Sequence, residues 1–124
     1  MDTVSLAQSG IYAITNVISK RVYVGSAVSI RKRWRNHRNM LRNGKHPSIV
    51  LQSSWTKHGE YAFEFSILEL INDKSILINR EQVWIDLLRS AHPRTGFNLA
   101  PTAGSQLGFK HSAAAKEKMR AAKL

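Results

Sequence analysis

The sequence predicts a small α/β or α+β layer: three short strands with helices between them. Residues 10–16 (GIYAITN), 21–25 (RVYVG) and 61–70 (YAFEFSILEL) read as strands, while residues 29–43, 46–59 and about 74–89 read as helices. Size supports a single domain, since 124 residues with 43% hydrophobic content fill one modest core with room for a short appendage.

The first two strands are joined by NVISK. Paired as a hairpin, a simple register sets Tyr12 opposite Tyr23 and Gly10 opposite Gly25. Directly opposed side chains share a face with Cβ atoms about 5 Å apart, so the two phenol rings are expected side by side. Gly10 and Gly25 are read as backbone positions, Gly25 as a place of close approach or simply a strand end.

SIRKRWRNHRNMLRN follows, with Ser29 as N-cap and Gly44 as the stop. At about 100° per residue, Ile30, Trp34 and Leu41 fall in one sector that should face the core. Arg31, Lys32, Arg35, Arg38 and Arg42 fall elsewhere. Arg33 and His37 flank the apolar sector, which sets one arginine at the core boundary. HPSIVLQSSWTKHG is a second helix, opened near Pro47-Ser48 and closed by Gly59. In the third strand Tyr61, Phe63, Phe65 and Ile67 alternate with more polar neighbours, the period of a half-buried strand.

The last helix places Leu77, Trp84, Ile85 and Leu88 on one face with Glu81 in their midst. A lone carboxylate in an apolar stripe is costly unless paired or bound to a metal. Two readings stay open: a buried ion pair with an arginine such as Arg33, or a catalytic or metal-binding carboxylate. Trp34, Trp55, Trp84 and the strand phenylalanines read as core, and His58 and His92 as unassigned surface residues. After GFNLAP, PTAGSQ reads as a linker. GFKHSAAAKEKMRAAKL is a basic, alanine-rich segment that is either a DNA contact or a solvated helix.

Charge narrows the function. The net charge is +11, and the seven cations from Arg31 to Lys45 have no acid among them. Clustered Lys and Arg favour a polyanion, because neutralising phosphates releases condensed counterions. No strongly apolar face accompanies them, so nucleic acid fits and a membrane surface does not. With no cysteine, disulfides and thiolate metal sites are excluded, and the five histidines show no zinc spacing. The N-terminus lacks the regions of a signal peptide, and no apolar run approaches a bilayer span, so the expectation is an intracellular, cytoplasmic protein that is not secreted.

With these residues in place, the sequence resembles the GIY-YIG nuclease family, especially the homing endonucleases of mobile introns. Gly10-Ile11-Tyr12 matches the first triplet and Tyr23-Val24-Gly25 the second, with Val24 for the usual isoleucine. The likeness continues through Arg33-Trp34, His37, His46, Glu81 with Trp84, and Gly96-Phe97-Asn98. The tail is similar to a short DNA-binding repeat often appended to such nucleases.

The resemblance implies a three-stranded antiparallel sheet flanked by helices, with residues 1–100 as catalytic domain and 101–124 as linker and short basic DNA-contacting tail. It implies a metal-dependent DNA endonuclease with Glu81 binding Mg²⁺ (or Mn²⁺) and Arg33 neutralising charge on the scissile phosphate. Tyr12 would activate or align the attacking water, with Tyr23 orienting it. An unperturbed tyrosine has a pKa of about 10, poor for general-base work near neutrality, so Arg33, the metal or His37 would help remove the proton, unless His37 instead binds a phosphate. Asn98 would order the site through hydrogen bonds.

DNA contacts are expected from Arg31, Lys32, Arg35, Arg38, Arg42, Lys45 and His46, although His46 also reads as a helix-start cap. In the tail they are expected from Lys110, His111, Lys116, Lys118 and Arg120. The partner is double-stranded DNA, intact, nicked or branched. One site per chain means that a double-strand break needs a transient dimer or two successive nicks. Two other classes stay open: a basic DNA-binding protein without chemistry, and a repair or restriction nuclease using the same chemistry.

Overall fold

A computed structural model of the chain describes residues 8–100 together with Ala103. The predicted tail contacts at Lys110, His111, Lys116, Lys118 and Arg120 lie outside the described residues. The elements run β1 (Gly10–Asn16), β2 (Val22–Ala27), α1 (Ile30–Arg42), α2 (Ile49–His58), β3 (Phe63–Leu70) and α3 (Leu77–Leu88), with single 3₁₀ turns at Glu60–Ala62 and Lys74–Ile76. The sheet has three antiparallel strands in the order β2-β1-β3, so the fold is α+β as expected.

β1 is central and buried on both faces, which explains its nearly unbroken apolar run. Strand alternation sorts its side chains into two cores. Tyr12 and Ile14 join Tyr23, Ile30, Trp34, Leu41, Leu51, Trp55 and Phe97 on the side covered by α1 and α2. Ile11 and Ala13 join Val22, Val24, Leu77 and Ile85 on the side covered by α3. One extra β3 residue, a bulge at Leu68, lies where Tyr12 faces Ile67 but Ile11 faces Glu69.

The hairpin register differs from the simplest expectation. Tyr12 lies opposite Gly25 and Ile14 opposite Tyr23, a slip of two residues that keeps every side chain on its predicted face. The turn is the reason. Asn16 is fully buried, and its Oδ1 accepts the amides of Ile18 (2.8 Å) and Ser19 (3.2 Å). The backbone closes from Asn16 N to Arg21 O, with Lys20 in a left-handed conformation (φ 69°). The four residues 17–20 thus form the loop, fixing what the strand pattern alone leaves open.

The helix termini follow the sequence signals. Ser29 caps α1, Ser48 caps α2 and accepts from Leu51 N, and Gly59 ends α2 at φ 88°. Tyr61 departs from the alternating pattern. It falls on the 3₁₀ turn before β3 and is fully exposed, because Gly59 turns the chain before the strand begins.

Candidate active site

Tyr12 projects from the centre of the sheet into the α1 side, and its ring lies over Gly25. A Cβ at Gly25 would stand 2.5 Å from Tyr12 Cζ and collide with the hydroxyl oxygen as well. The glycine is therefore required by the tyrosine ring packed across it. Gly10 is tied to close approach too, since a Cβ there would run into the Glu69 carbonyl oxygen.

The Tyr12 hydroxyl meets His37 Nε2 at 2.6 Å, and the other His37 nitrogen, Nδ1, meets His46 Nε2 at 2.8 Å. His46 Nδ1 accepts the backbone N–H of Ser48 at 2.9 Å. Tyr23 packs edge-on against both imidazoles, with centroids 5.3 and 5.8 Å away. Tyr12 and Tyr23 thus share one cluster, although they are not directly opposed. Burial pushes the Tyr12 phenol well above its usual range, reinforced by Tyr23. Burial also pushes Tyr23 up to about 12. The histidines move the other way: burial lowers His37 to about 3, with His46 and Arg33 adding to the effect, and lowers His46 to about 4.

Arg33 comes from the exposed side of α1 and makes no hydrogen bond or ion pair among the described residues. Its charge nevertheless reaches the site, lowering the pKa of Tyr12, Tyr23, His37 and Glu81. The core-boundary placement expected for it becomes an exposed one, because α1 turns Trp34 and His37 inward instead.

Glu81 stands on α3, and its Oε1 accepts from the Ser26 hydroxyl at 2.6 Å. Of the two sequence readings, the ion pair with Arg33 is not formed. Burial raises the Glu81 carboxyl, against the Ser26 hydrogen bond and the Arg33 charge, which lower it. The carboxylate in turn raises both tyrosines, so the three groups share one electrostatic neighbourhood. Ser26 is a site residue that sequence reasoning missed. The available signal was parity: one step beyond Gly25, it must point to the α3 side of β2.

Asn98 half-buries its amide against the free edge of β2. Its Oδ1 accepts from Val24 N at 2.8 Å and its Nδ2 donates to Val24 O at 2.9 Å. The neighbouring Phe97 N–H donates to Val22 O, and Val22 N–H to Thr95 O. The segment from Thr95 to Asn98 therefore pairs beside β2 where a fourth strand would lie.

The remaining α1 cations fall on the side away from the tyrosines. Arg31, Trp34, Arg35, Arg38, Asn39 and Arg42 line a groove of about 230 Å³. Arg38 lies 4.1 Å over the Phe65 ring, and Arg42 pairs with Glu60. Lys32 and Lys45 are exposed. His46 needs correction: it is buried with both ring nitrogens bonded inside the protein, which makes it part of the interior chain and not of a DNA-contacting surface.

Among the described residues Glu81 is the one carboxylate whose charge acts on both tyrosines, and no group of three or more metal-ligating side chains occurs there. That donor set still fits Mg²⁺, which is held by one or two carboxylates with several waters and substrate phosphates. Glu81 Oε1 is bonded by a neutral hydroxyl, and the carboxylate forms no ion pair among the described residues.

A small antiparallel sheet presenting two buried phenols to imidazoles, with a desolvated carboxylate at its edge strand, defines a catalytic-domain architecture. Comparison with known proteins gives the family: the model of the GIY-YIG catalytic domain matches residues 8–96, and the chain belongs to that family. It is 48% identical over 94 residues to intron-associated endonuclease 1 of Enterobacteria phage T4, covering 75% of this chain and 37% of that protein. It is 34% identical over 116 residues to a probable intron-encoded endonuclease 1 of Neurospora crassa, covering 90% of this chain and 36% of the relative. The chain thus spans little more than a third of the length of these curated relatives. Among solved structures, a mutant of the catalytic domain of intron endonuclease I-TevI superposes with a TM-score of 0.70 at 45% identity, covering 77% of this chain and 97% of that one.

Proposed function

We propose that the chain is a metal-dependent DNA endonuclease that hydrolyses phosphodiester bonds, of the homing-endonuclease kind. The observation that carries this is Glu81, a partly buried carboxylate without an ion pair among the described residues, electrostatically joined to Tyr12, Tyr23 and Arg33 in a family of catalytic domains. The endonuclease names of the relatives support DNA as substrate, and a DNA substrate favours an intracellular location.

Glu81 would hold the divalent ion, Mg²⁺ or Mn²⁺, with Ser26 orienting the carboxylate. When bound, such an ion offsets charge on the scissile phosphate and the leaving oxygen. Arg33, exposed and without a hydrogen bond or ion pair among the described residues, would pair with the non-bridging phosphate oxygens, a task suited to a planar guanidinium. Tyr12 would align the attacking water, with Tyr23 beside it completing the wall. Asn98 would hold β2, and hence Tyr23 and Ser26, in place. The α1 groove with Lys32 and Lys45 would track the DNA backbone, positioning the duplex without reading bases. A transient dimer on DNA or two successive nicks would give a double-strand break.

The test is conversion of supercoiled plasmid to nicked and linear forms, with Mg²⁺ or with chelator. Cleavage should require the ion, and Glu81→Ala and Arg33→Ala should each lower it by at least about 10²-fold while most DNA affinity remains. DNA binding without cleavage by the parent would instead make the chain a DNA-binding protein. Variants that cut at the parental rate would remove Glu81 and Arg33 from the site.

A further inference from the structure

The hydrogen bonds of the histidine pair have a direction. A backbone amide can only donate, so the Ser48 N–H bond requires a lone pair on His46 Nδ1. The His46 hydrogen is then on Nε2, which lies 2.8 Å from His37 Nδ1. His37 Nδ1 must accept, which leaves the His37 hydrogen on Nε2, 2.6 Å from the Tyr12 hydroxyl. The ring geometry agrees. The two imidazoles are within 20° of parallel with centroids 5.0 Å apart. That separation fits an edge-to-edge N–H···N bond, whereas face stacking would bring ring atoms to about 3.5–4.0 Å.

We propose that His46 is a positioning residue: anchored by the Ser48 amide, it fixes His37 as its Nε2–H tautomer, so that His37 donates to the Tyr12 oxygen and cannot take the Tyr12 proton. This rests on the reading of Tyr12 as the residue that aligns the attacking water, and it deepens that reading. Burial supports it by keeping both rings neutral.

The consequence is a division of roles around one oxygen. With one lone pair of Tyr12 occupied by His37 Nε2–H, the hydroxyl hydrogen is directed away from the imidazole. Burial holds the Tyr12 phenol above its usual range, so it keeps its proton near neutrality and would align water by hydrogen bonding while the His37 N–H holds its oxygen in place. His37 is thus a donor to the Tyr12 oxygen, in contrast to the help in removing the proton that the family resemblance implies for His37 alongside Arg33 or a metal.

Long-range proton–nitrogen correlation spectra of the ¹⁵N-labelled chain report the tautomers directly. At neutral pH both His37 and His46 should show a protonated Nε2 and an unprotonated Nδ1. His46→Gln, whose amide donor can replace Nε2–H, should preserve the His37 tautomer. His46→Glu, an acceptor at that point, should move the hydrogen to His37 Nδ1. Under saturating DNA, kcat for His46→Glu should fall about tenfold or more below that of His46→Gln with KM little altered. A parent His37 protonated on Nδ1, or on both nitrogens, overturns the proposal whatever the variants do. An unchanged His37 tautomer in folded His46→Glu does the same. The expected tautomers in a chain that cuts no DNA would instead uphold the relay and defeat the endonuclease reading.

Discussion

Adding one methyl group at Gly25 tests whether the position of the Tyr12 ring matters. In Gly25→Ala the new Cβ would lie 2.5 Å from Tyr12 Cζ. Ordinary carbon contacts are about 3.5–4.0 Å, so the ring must retreat by about 1 Å or more. It has little space: Tyr12 is 2% exposed and stands edge-on to Trp34 with centroids 6.4 Å apart. A retreat of that size also breaks the 2.6 Å bond to His37. Overpacking should lower stability by about 1–3 kcal/mol, and misplacing a reacting group by about 1 Å should slow cleavage about 10²-fold. Urea melts and plasmid nicking at saturating DNA read the two effects separately. In a Tyr12→Leu background, which lacks the obstructing ring atoms, the stability cost should shrink by about 1 kcal/mol or more. An equal cost in both backgrounds, or parental nicking by Gly25→Ala, would refute the steric argument.

Other perturbations address other parts of the molecule. Ser48→Ala removes a fully buried hydroxyl that caps α2 and donates to Phe97 O at 2.7 Å; it should cost about 1–2 kcal/mol in urea unfolding, and an unmoved midpoint would contradict the cap assignment. His37 and His46 have folded pKa values of about 3 and about 4, below the ordinary value, so their stabilisation is complete above about pH 6.5 and is lost as pH falls. Each should contribute up to about 1.4 kcal/mol per pH unit in that window, His46→Gln should flatten the slope, and a flat parental profile would refute it. Glu81, with its carboxyl raised, opposes them: its contribution fades as pH rises through its folded pKa. Ser26→Ala removes the one side-chain hydrogen-bond donor to Glu81 among the described residues and should raise the Mg²⁺ concentration for half-maximal nicking about tenfold; an unchanged titration would show that Ser26 does not orient the carboxylate.

What the sequence made legible were features written locally. Apolar alternation marks the strands, Ser29, Ser48 and Gly59 mark helix ends, and Glu81 stands out against the apolar face of its own helix. What it hid depends on contacts between distant segments. The register turns on the Asn16 side chain, which closes the hairpin while donating to Ser54 and His58 on α2. Ser26 carries no local sign of a partner 55 residues away. His46 reads as a cap or a DNA contact until the turn before α2 brings its ring against His37, nine residues earlier. The charge pattern of α1 was plain, yet only packing separates Arg33, whose field reaches the tyrosines, from the arginines lining the groove on the other side.

The position of β2 explains why the site sits at an edge of the sheet. Successive residues of a strand face opposite ways, so β2 offers Tyr23 to the histidine cluster and Ser26 to Glu81 on the opposite side. In a central strand these halves would be separated by neighbouring strands; at an edge, groups from the two faces can meet around the rim. An edge strand is also free to fray and slip, and a two-residue slip would carry Gly25 away from the Tyr12 ring. Asn98 answers that hazard by engaging both backbone groups of Val24, midway between Tyr23 and Gly25. Arg21, at the hairpin end, adds a second tie through its guanidinium, which donates to Pro93 O at 2.6 Å and lies 5.2 Å over the Phe97 ring. The segment after α3 therefore acts as a brace: by holding β2 in register, it keeps the Tyr23 phenol, Gly25 and Ser26 aligned with partners contributed by α1, β1 and α3.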